Sequence, residues 1–144
     1  MKVALMKAAA AGLMTLSLDS GSTNVGVLLK KAPTSFTNNR VKDSIEQFEK
    51  ALEINPAVRE RLWQYGISLY ADGRYSDCAD QFQFDYAKNP DDSEEVVWNY
   101  LCERRRGVDD LRAREGMPMK RADPRPVMSL VEKAYRQSDM TLLE

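Results

Sequence analysis

The sequence contains no histidine and only two cysteines among its 144 residues. Without histidine, the chain lacks the commonest general base of enzymes and the commonest metal ligand. Cys78 and Cys102 form no CxxC pair, so the sequence does not indicate a zinc site or a thioredoxin-like motif. We therefore expect the two cysteines to be separate, reduced and mostly buried thiols that pack as small hydrophobic side chains.

The chain also has little net charge and no long hydrophobic run. Its 21 basic and 22 acidic residues give a net charge of −1, so nothing global points to nucleic acid or an anionic membrane. The apolar run Ala8–Leu18 is uncharged but shorter than the roughly 20 residues that span a bilayer. Because Lys2 and Lys7 flank this region, we predict a targeting or disordered segment over residues 1–24, with a marginal amphipathic helix as the alternative.

What the sequence does contain is a helical hairpin. Apolar residues recur at helical spacing over Leu62–Ala71 and again over Tyr75–Ala87, and Asp72-Gly73-Arg74 lies between the two runs. The intervening residues are typical of a tight turn. The pattern predicts two antiparallel helices, in which Gly66 on the first lets it approach small Cys78 on the second.

The second helix of this hairpin has an upstream counterpart. Three positions recur at an offset of 34 residues: Ser44 and Cys78, Phe48 and Phe82, Pro56 and Pro90. This period and this order of residues resemble the tetratricopeptide repeat. The resemblance implies an all-α fold, a stack of antiparallel helical hairpins (an α-solenoid), with the repeats over residues 41–136.

The flanks of the central hairpin fit the repeat less well. Residues 25–40 contain Pro33 and then loop-forming residues, so we expect an irregular lead-in and a helix from a capping Asn39 to Asn55. Downstream, helices are expected over Val96–Arg105 and, shortened, over Val108–Glu115, with Gly107 in the turn. Pro126 starts a terminal helix that caps the stack, and residues 137–144 form a flexible tail.

A second resemblance extends over about residues 41–136. Five stretches occur in an order similar to that of a chloroplast-directed group of tetratricopeptide-like proteins from photosynthetic organisms: Leu62–Tyr70, Asn89–Glu95, Trp98, Leu101–Glu103 and Asp123–Met128. The resemblance implies a chloroplast protein that associates with the thylakoid. It implies protein partners such as a photosystem or another thylakoid complex, and neither an enzymatic activity nor a cofactor.

The repeat resemblance also places candidate partner-binding residues on a concave groove formed by the first helices. These are Glu60, Trp63, Ile67, Tyr70 and Ala71 in the central repeat, and Val97, Leu101, Arg104 and Arg105 in the next, with Arg106 completing a basic cluster. A groove with an apolar floor and a basic rim would bind a partner helix or an extended segment. The alternative is that Trp63 and Tyr70 are core residues, covered by residues 25–40 or by the terminal helix.

Acidic residues cluster where the third repeat begins. Asp91, Asp92, Glu94 and Glu95 lack the alternating spacing and the glycine of a calcium loop, and a helix start explains them fully. We expect the chain to contain no metal site and to have no enzymatic activity. From its net charge, we also expect no nucleic-acid partner. The expected function is a non-catalytic adaptor, assembly factor or accessory subunit of a larger complex, with a carrier of lipid or pigment in the apolar groove as the alternative.

Overall fold

The structure, a computed structural model, describes residues 18–119 and 122–137. These residues form seven α-helices and one 3₁₀ helix and contain no β-strand, so the all-α prediction is confirmed. The helices are α1 (Leu18–Thr37), α2 (Val41–Ile54), the 3₁₀ helix Pro56–Arg61, α3 (Trp63–Ala71), α4 (Tyr75–Lys88), α5 (Ser93–Arg105), α6 (Asp110–Glu115) and α7 (Pro126–Gln137). No described helix combines the length and the apolar character needed to cross a membrane.

The predicted central hairpin is confirmed as α3 and α4. The turn between them contains Gly73 with a φ of +81°, a backbone conformation that side chains with a Cβ rarely adopt. The next turn, between α5 and α6, contains Gly107 with a φ of +95°. Because these glycines lie 34 residues apart, the turn geometry repeats at the predicted period.

The main core lies between α1 and α5, and the repeating positions point into it. Phe48 and Phe82 are 2% and 1% exposed, and Ser44 and Cys78 are both completely buried. A second, smaller core joins Val96 of α5 to residues near the C-terminus, namely Met117, Met119 and Tyr135. The two cores share α5, which contacts both α4 and α7.

The expected irregular lead-in over residues 25–40 is wrong. Residues 18–37 form one continuous helix, α1, with Pro33 inside it. Proline removes a helical hydrogen bond at a cost of about 3 kcal/mol, but packing against α2 offsets this. Ala32 is fully buried, and buried Ser35 donates a hydrogen bond from Oγ to Oε1 of Gln47 on α2 at 3.1 Å.

The predicted bounds of the N-terminal segment and of α2 change accordingly. Residues 18–24 of the predicted targeting or disordered segment belong to α1, whereas residues 1–17, and 138–144 of the expected tail, lie outside the described residues. Asn39 does not cap α2, because it adopts a left-handed φ of +58° in the turn before the helix. The residue that precedes α2 is Arg40, whose side chain makes no capping hydrogen bond.

Two predicted relations of Cys78 are corrected. A Cβ atom at Gly66 would lie 2.6 Å from Cε2 of Phe82, so Gly66 accommodates this ring rather than the cysteine. Cys78 and Cys102 are buried, as expected, but they form a disulfide between α4 and α5 rather than two thiols. Their Cα atoms are 5.9 Å apart, within the range for a disulfide. The sequence missed this pairing because it depends on how α4 packs against α5.

The C-terminal elements follow the sequence more closely. α6 is short, as predicted, and α7 starts at Pro126. The Tyr135 ring of α7 packs edge-on against Tyr100 of α5, with ring centroids 5.3 Å apart. The guanidinium of Arg114 lies over both rings, 4.6 Å from the Tyr100 centroid and 4.9 Å from that of Tyr135. The bulky Tyr100 at the position that corresponds to Gly66 therefore contacts α7.

Candidate functional site

Trp63 is the most unusual surface residue of the central hairpin. It is the first residue of α3, and 50% of its surface is exposed, whereas the preceding Leu62 is 3% exposed. An exposed indole presents a large apolar surface with one polar N–H group, and tryptophan is enriched at protein interfaces. Trp63 also lines two separate cavities, one on each side.

The first cavity lies between α1 and α3, and we call it the apolar cavity. It has a volume of about 220 Å³. Its lining residues are Pro33, Phe36 and Thr37 of α1 with Trp63, Gln64 and Ile67 of α3. This cavity exists because α1 continues through Pro33 and brings Phe36 beside the start of α3.

The second cavity lies between α3, α4 and α5, and we call it the acidic pocket. It has a volume of about 90 Å³. Its lining residues are Trp63, Phe82 and Trp98, which are aromatic, and Asp92, Glu94 and Glu95, which are acidic. The indole of Trp98 stacks on the buried Phe82 ring, with centroids 6.1 Å apart and planes 10° apart, so one wall of the pocket is fixed by the core.

The three carboxylates of the acidic pocket have different surroundings. Asp92 caps α5, because its Oδ1 accepts a hydrogen bond from the Glu94 amide at 3.0 Å. Glu94 forms an ion pair of 2.7 Å with Arg125. The Oε2 atom of Glu95 is shielded from water and has no hydrogen-bond partner among the described residues.

The surroundings of Glu95 oppose its ionisation. Burial raises the pKa of this carboxyl group to about 8, and the nearby negative charges of Asp85, Asp92 and Glu94 contribute in the same direction. A buried carboxylate without a donor is costly, and the group avoids part of that cost by holding a proton. The Glu95 side chain is therefore largely neutral at pH 7.

An aromatic row continues from the acidic pocket towards the C-terminal end of α5. The Tyr70 ring packs edge-on against Trp98 and against Tyr75, with both centroid distances 5.5 Å. Arg105 ends the row, because its Nη2 donates a hydrogen bond of 2.6 Å to the Tyr75 hydroxyl and its guanidinium lies 5.0 Å from the centre of that ring. The row joins an acidic end to a basic end.

The structure brings together only some of the candidate partner-binding residues. Trp63 and Ile67 line the apolar cavity, and partly buried Tyr70 belongs to the aromatic row. Val97 packs instead against the second core, and Leu101 is partly buried on α5. Glu60 lies in the 3₁₀ helix, where it forms an ion pair of 2.9 Å with Lys88 that lowers its pKa.

The three arginines of the predicted basic rim have different hydrogen-bond partners. Arg106 donates two hydrogen bonds to the buried Glu103 carboxylate, at 2.7 and 2.8 Å. Arg104 donates to the carbonyl of Val108 at 2.8 Å. Arg106 lines a separate surface hollow with Ser76 and Arg112, and this hollow shares no residue with the two cavities at Trp63. The charged residues that line the cavities at Trp63 are acidic rather than basic.

Residue patterns assigned Asp92, Glu94 and Glu95 only to a helix start, and they did not single out Phe36 or Trp98 as site residues. The available signal was the spacing of Glu95 and Trp98, three positions apart on one helix and therefore on one face. The contribution of Trp63 to the same pocket could not be read from spacing, because it depends on the packing of α3 against α5.

Comparison with known proteins does not place the chain in a family. No protein-family model matches it, and no solved structure matches it.

Proposed function

We propose that the chain is a non-catalytic, tetratricopeptide-like helical-repeat module that binds a segment of a partner protein in the groove around Trp63. The groove consists of the apolar cavity, the Trp63 indole and the acidic pocket. In this role the protein serves as an adaptor, assembly factor or accessory subunit of a larger complex. The observation that carries the proposal is the half-exposed Trp63 between two cavities.

The repeat geometry supports a tetratricopeptide-like arrangement. The three pairs α1–α2, α3–α4 and α5–α6 each consist of consecutive helices in contact, joined by short connections. The turn glycines and the buried aromatic positions recur at 34 residues. The groove lies along α1, α3 and α5, the first helix of each pair, which is where such repeats bind extended or helical ligands.

The size and chemistry of the two cavities favour a peptide over a lipid or pigment. Sites for drug-sized molecules usually enclose about 300–1,000 Å³, whereas these cavities measure about 220 and 90 Å³. The smaller cavity is also lined by three carboxylates, which a hydrocarbon chain would desolvate at a cost. Two small cavities on either side of an indole suit two side chains of one peptide.

The proposed location is the chloroplast, in association with thylakoids, and the proposed partner is a photosystem or another thylakoid complex. This proposal rests on the sequence resemblance over residues 41–136. The disulfide between Cys78 and Cys102 supports an oxidising compartment, since disulfides are rare where thiols are kept reduced.

Site-specific photo-crosslinking tests the proposed function. A p-benzoylphenylalanine at position Gln64, within the apolar cavity, is exposed to a detergent extract of photosynthetic membranes and irradiated. The same residue at Leu111, which is 64% exposed on α6, is the matched control. We expect one dominant polypeptide adduct from position 64 and none of that polypeptide from position 111.

The crosslinked peptide is then sequenced, resynthesised and titrated into the protein. We expect saturable binding that Trp63→Ala weakens by about tenfold or more, because an aromatic anchor in a groove is a typical hot spot. Equal binding by the Trp63→Ala variant would overturn the proposal. A hydrophobic small molecule retained by the purified protein in native mass spectrometry, and lost in the same variant, would favour the carrier function instead.

A further inference from the structure

The acidic pocket has an unusual composition for the surface of a helical protein. Two indoles and a phenyl ring surround a space that three carboxylates also face. Electron-rich aromatic faces attract cations, and tryptophan does so most strongly. Carboxylates add a charge-assisted hydrogen bond to the same kind of ligand. Both parts of the lining therefore select for positive charge.

One atom in the pocket specifically lacks a donor. Asp92 and Glu94 are engaged with an amide and with Arg125, but the Oε2 atom of Glu95 is buried without a hydrogen-bond partner among the described residues. Native proteins leave few buried acceptors in this state, and those that they do leave require an explanation. A donor supplied by a ligand would satisfy this oxygen and compensate the negative charges around it.

The ligand chemistry can be narrowed further. The described residues contain no group of three or more side chains arranged to hold a metal ion, so the carboxylates do not converge as metal ligands do. A volume of about 90 Å³ accommodates a compact head group rather than a long chain. The apolar cavity opens on the other side of Trp63. A peptide that occupies both the apolar cavity and the acidic pocket must therefore carry an aliphatic and a charged side chain close together.

We propose that the acidic pocket binds a lysine or arginine side chain of the partner segment, whose neighbouring aliphatic side chain occupies the apolar cavity. This inference rests on the proposed function, because it names the chemistry of the segment that the groove binds. The cationic group lies against Trp63 and Trp98 and donates to Glu95. The partner is thus recognised by an aliphatic residue near a basic one.

The state of Glu95 adds a testable consequence. Its pKa of about 8 should fall when a cation binds beside it, so binding should release a proton near neutral pH. Affinity for a permanently charged ligand should therefore rise between about pH 6 and pH 9. The groups that face Glu95 are Asp85 from α4 and Asp92 and Glu94 at the start of α5.

The experiment uses small probes and the full chain. The sequence has only two tryptophans, so a nitrogen-15-labelled sample gives two indole N–H signals, which Trp63→Phe assigns. The probes are N-acetyl-arginine amide, its uncharged isostere N-acetyl-citrulline amide, and N-acetyl-leucine amide. We expect the arginine probe to shift the Trp98 signal saturably, the citrulline probe to bind about tenfold more weakly, and the leucine probe to shift only Trp63.

Matched variants assign the effect to one carboxyl group. Glu95→Gln should lower the affinity for the arginine probe about tenfold and abolish the rise of that affinity with pH. Glu115→Gln, which changes an exposed residue of α6, should alter neither the affinity nor its pH dependence. Equal affinity for the arginine and citrulline probes, or no shift of the Trp98 signal, would overturn the proposal. So would probe binding that appears only in the Lys2→Gln/Lys7→Gln chain, since a lysine of the chain itself would then occupy the pocket.

The probes need no partner protein, so the two proposals can fail separately. Selective arginine binding without a crosslinked partner would support the acidic pocket as a cation site and contradict the proposed protein-binding function. A crosslinked partner peptide that binds a chain without arginine selectivity would support the protein-binding function and contradict the cation site.

Discussion

Gly66 is the residue at which the α3–α4 hairpin tolerates least change. A Cβ atom there would lie 2.6 and 2.7 Å from two ring atoms of the buried Phe82, closer than such contacts occur. We expect Gly66→Ala to reduce the free energy of unfolding by about 1–3 kcal/mol through overpacking, and Gly66→Leu to reduce it more.

Gly26 supplies the matched control for that prediction. It lies inside α1, and a Cβ atom built on it meets nothing within 4 Å. Gly26→Ala should therefore raise stability by about 0.5–1 kcal/mol, the usual gain from removing a glycine inside a helix. Urea unfolding of the two variants and the parent measures both changes in the free energy of unfolding. An unchanged midpoint for Gly66→Ala would show that α3 and α4 do not pack as described.

The titration of Glu95 should be visible in the stability of the whole chain. Its pKa is about 8 in the folded protein, whereas a solvated glutamate has a pKa of 4.5, so the folded state binds more protons between these values. Stability must therefore fall as pH rises from about 4.5 to 8. We expect a loss of roughly 2 kcal/mol, which allows for the solvent that still reaches this partly exposed group.

The absence of histidine makes this measurement unusually clear, because no imidazole titrates between about pH 5 and pH 8. Asp85, whose pKa burial raises to about 6, contributes in the same direction but only at lower pH. Glu95→Gln should remove the slope between about pH 6 and 8, and Asp85→Asn should retain it. If the unfolding free energy of Glu95→Gln fell with pH as steeply as that of the parent, another group would be responsible for the titration.

At the scale of elements, α3 and α4 could be predicted from the sequence and α1 could not. The central hairpin has regular apolar spacing and a glycine turn, so local pattern and tertiary packing favour the same structure. In α1, Pro33 and the polar residues after it favour a loop locally. Burial of Ala32 and Ser35 against α2 overrides that preference, and contacts of this kind are not encoded in the spacing of one segment.

The candidate site shows the same limit between elements. Sequence spacing placed Trp63 and Ile67 on one face, because that relation lies within a single helix. The acidic pocket combines α3, α4 and α5, and the apolar cavity requires the C-terminal half of α1. Neither combination follows from periodicity, since both depend on the distances between helices.

The disulfide is the covalent link between two of these elements. Cys78 and Cys102 join α4 to α5 across a separation of 24 residues, for which loop-closure entropy gives about 3–4 kcal/mol. We expect the Cys78→Ala/Cys102→Ala variant to lose about 2–4 kcal/mol of unfolding free energy, measured with denaturant and without reductant. In the parent, reductant should cause a similar loss.

Mass spectrometry provides the independent check on that link. Protein denatured and alkylated without reductant should gain no alkyl group and should lack two hydrogens relative to the reduced chain. Two alkylated cysteines in freshly purified protein would restore the expectation of separate thiols. Such a result would also remove the support that the disulfide gives to an oxidising compartment.

On the scale of the whole molecule, the net charge is only −1, but acidic and basic residues lie at opposite ends of α5. The acidic pocket lies at the start of α5, and Arg104 and Arg105 lie at its end, where their hydrogen bonds go to a carbonyl and a hydroxyl. The aromatic row connects the two ends. A partner segment with a basic residue at one end and an acidic residue at the other would bind in one orientation.

The two ends should contribute differently to binding kinetics. Exposed charges mainly steer association, whereas contacts buried in the complex mainly determine how fast it dissociates. With the crosslinked peptide as ligand, we expect Arg104→Ala/Arg105→Ala to slow association about twofold to tenfold and to leave dissociation unchanged. Glu95→Gln should instead accelerate dissociation about tenfold. Arg106 is left intact because its removal would leave Glu103 buried without its ion pair.

Surface plasmon resonance at two salt concentrations separates these contributions. Raising the salt from about 50 to about 300 mM shortens the screening length, so the parent's association rate should fall towards that of the double arginine variant. The dissociation rate of the parent should change little, because the bound segment would cover the contact between its basic group and Glu95. If the double variant instead dissociated faster at both salt concentrations, the arginines would contact the bound segment directly. The groove would then extend along the whole of α5 rather than ending at Trp98.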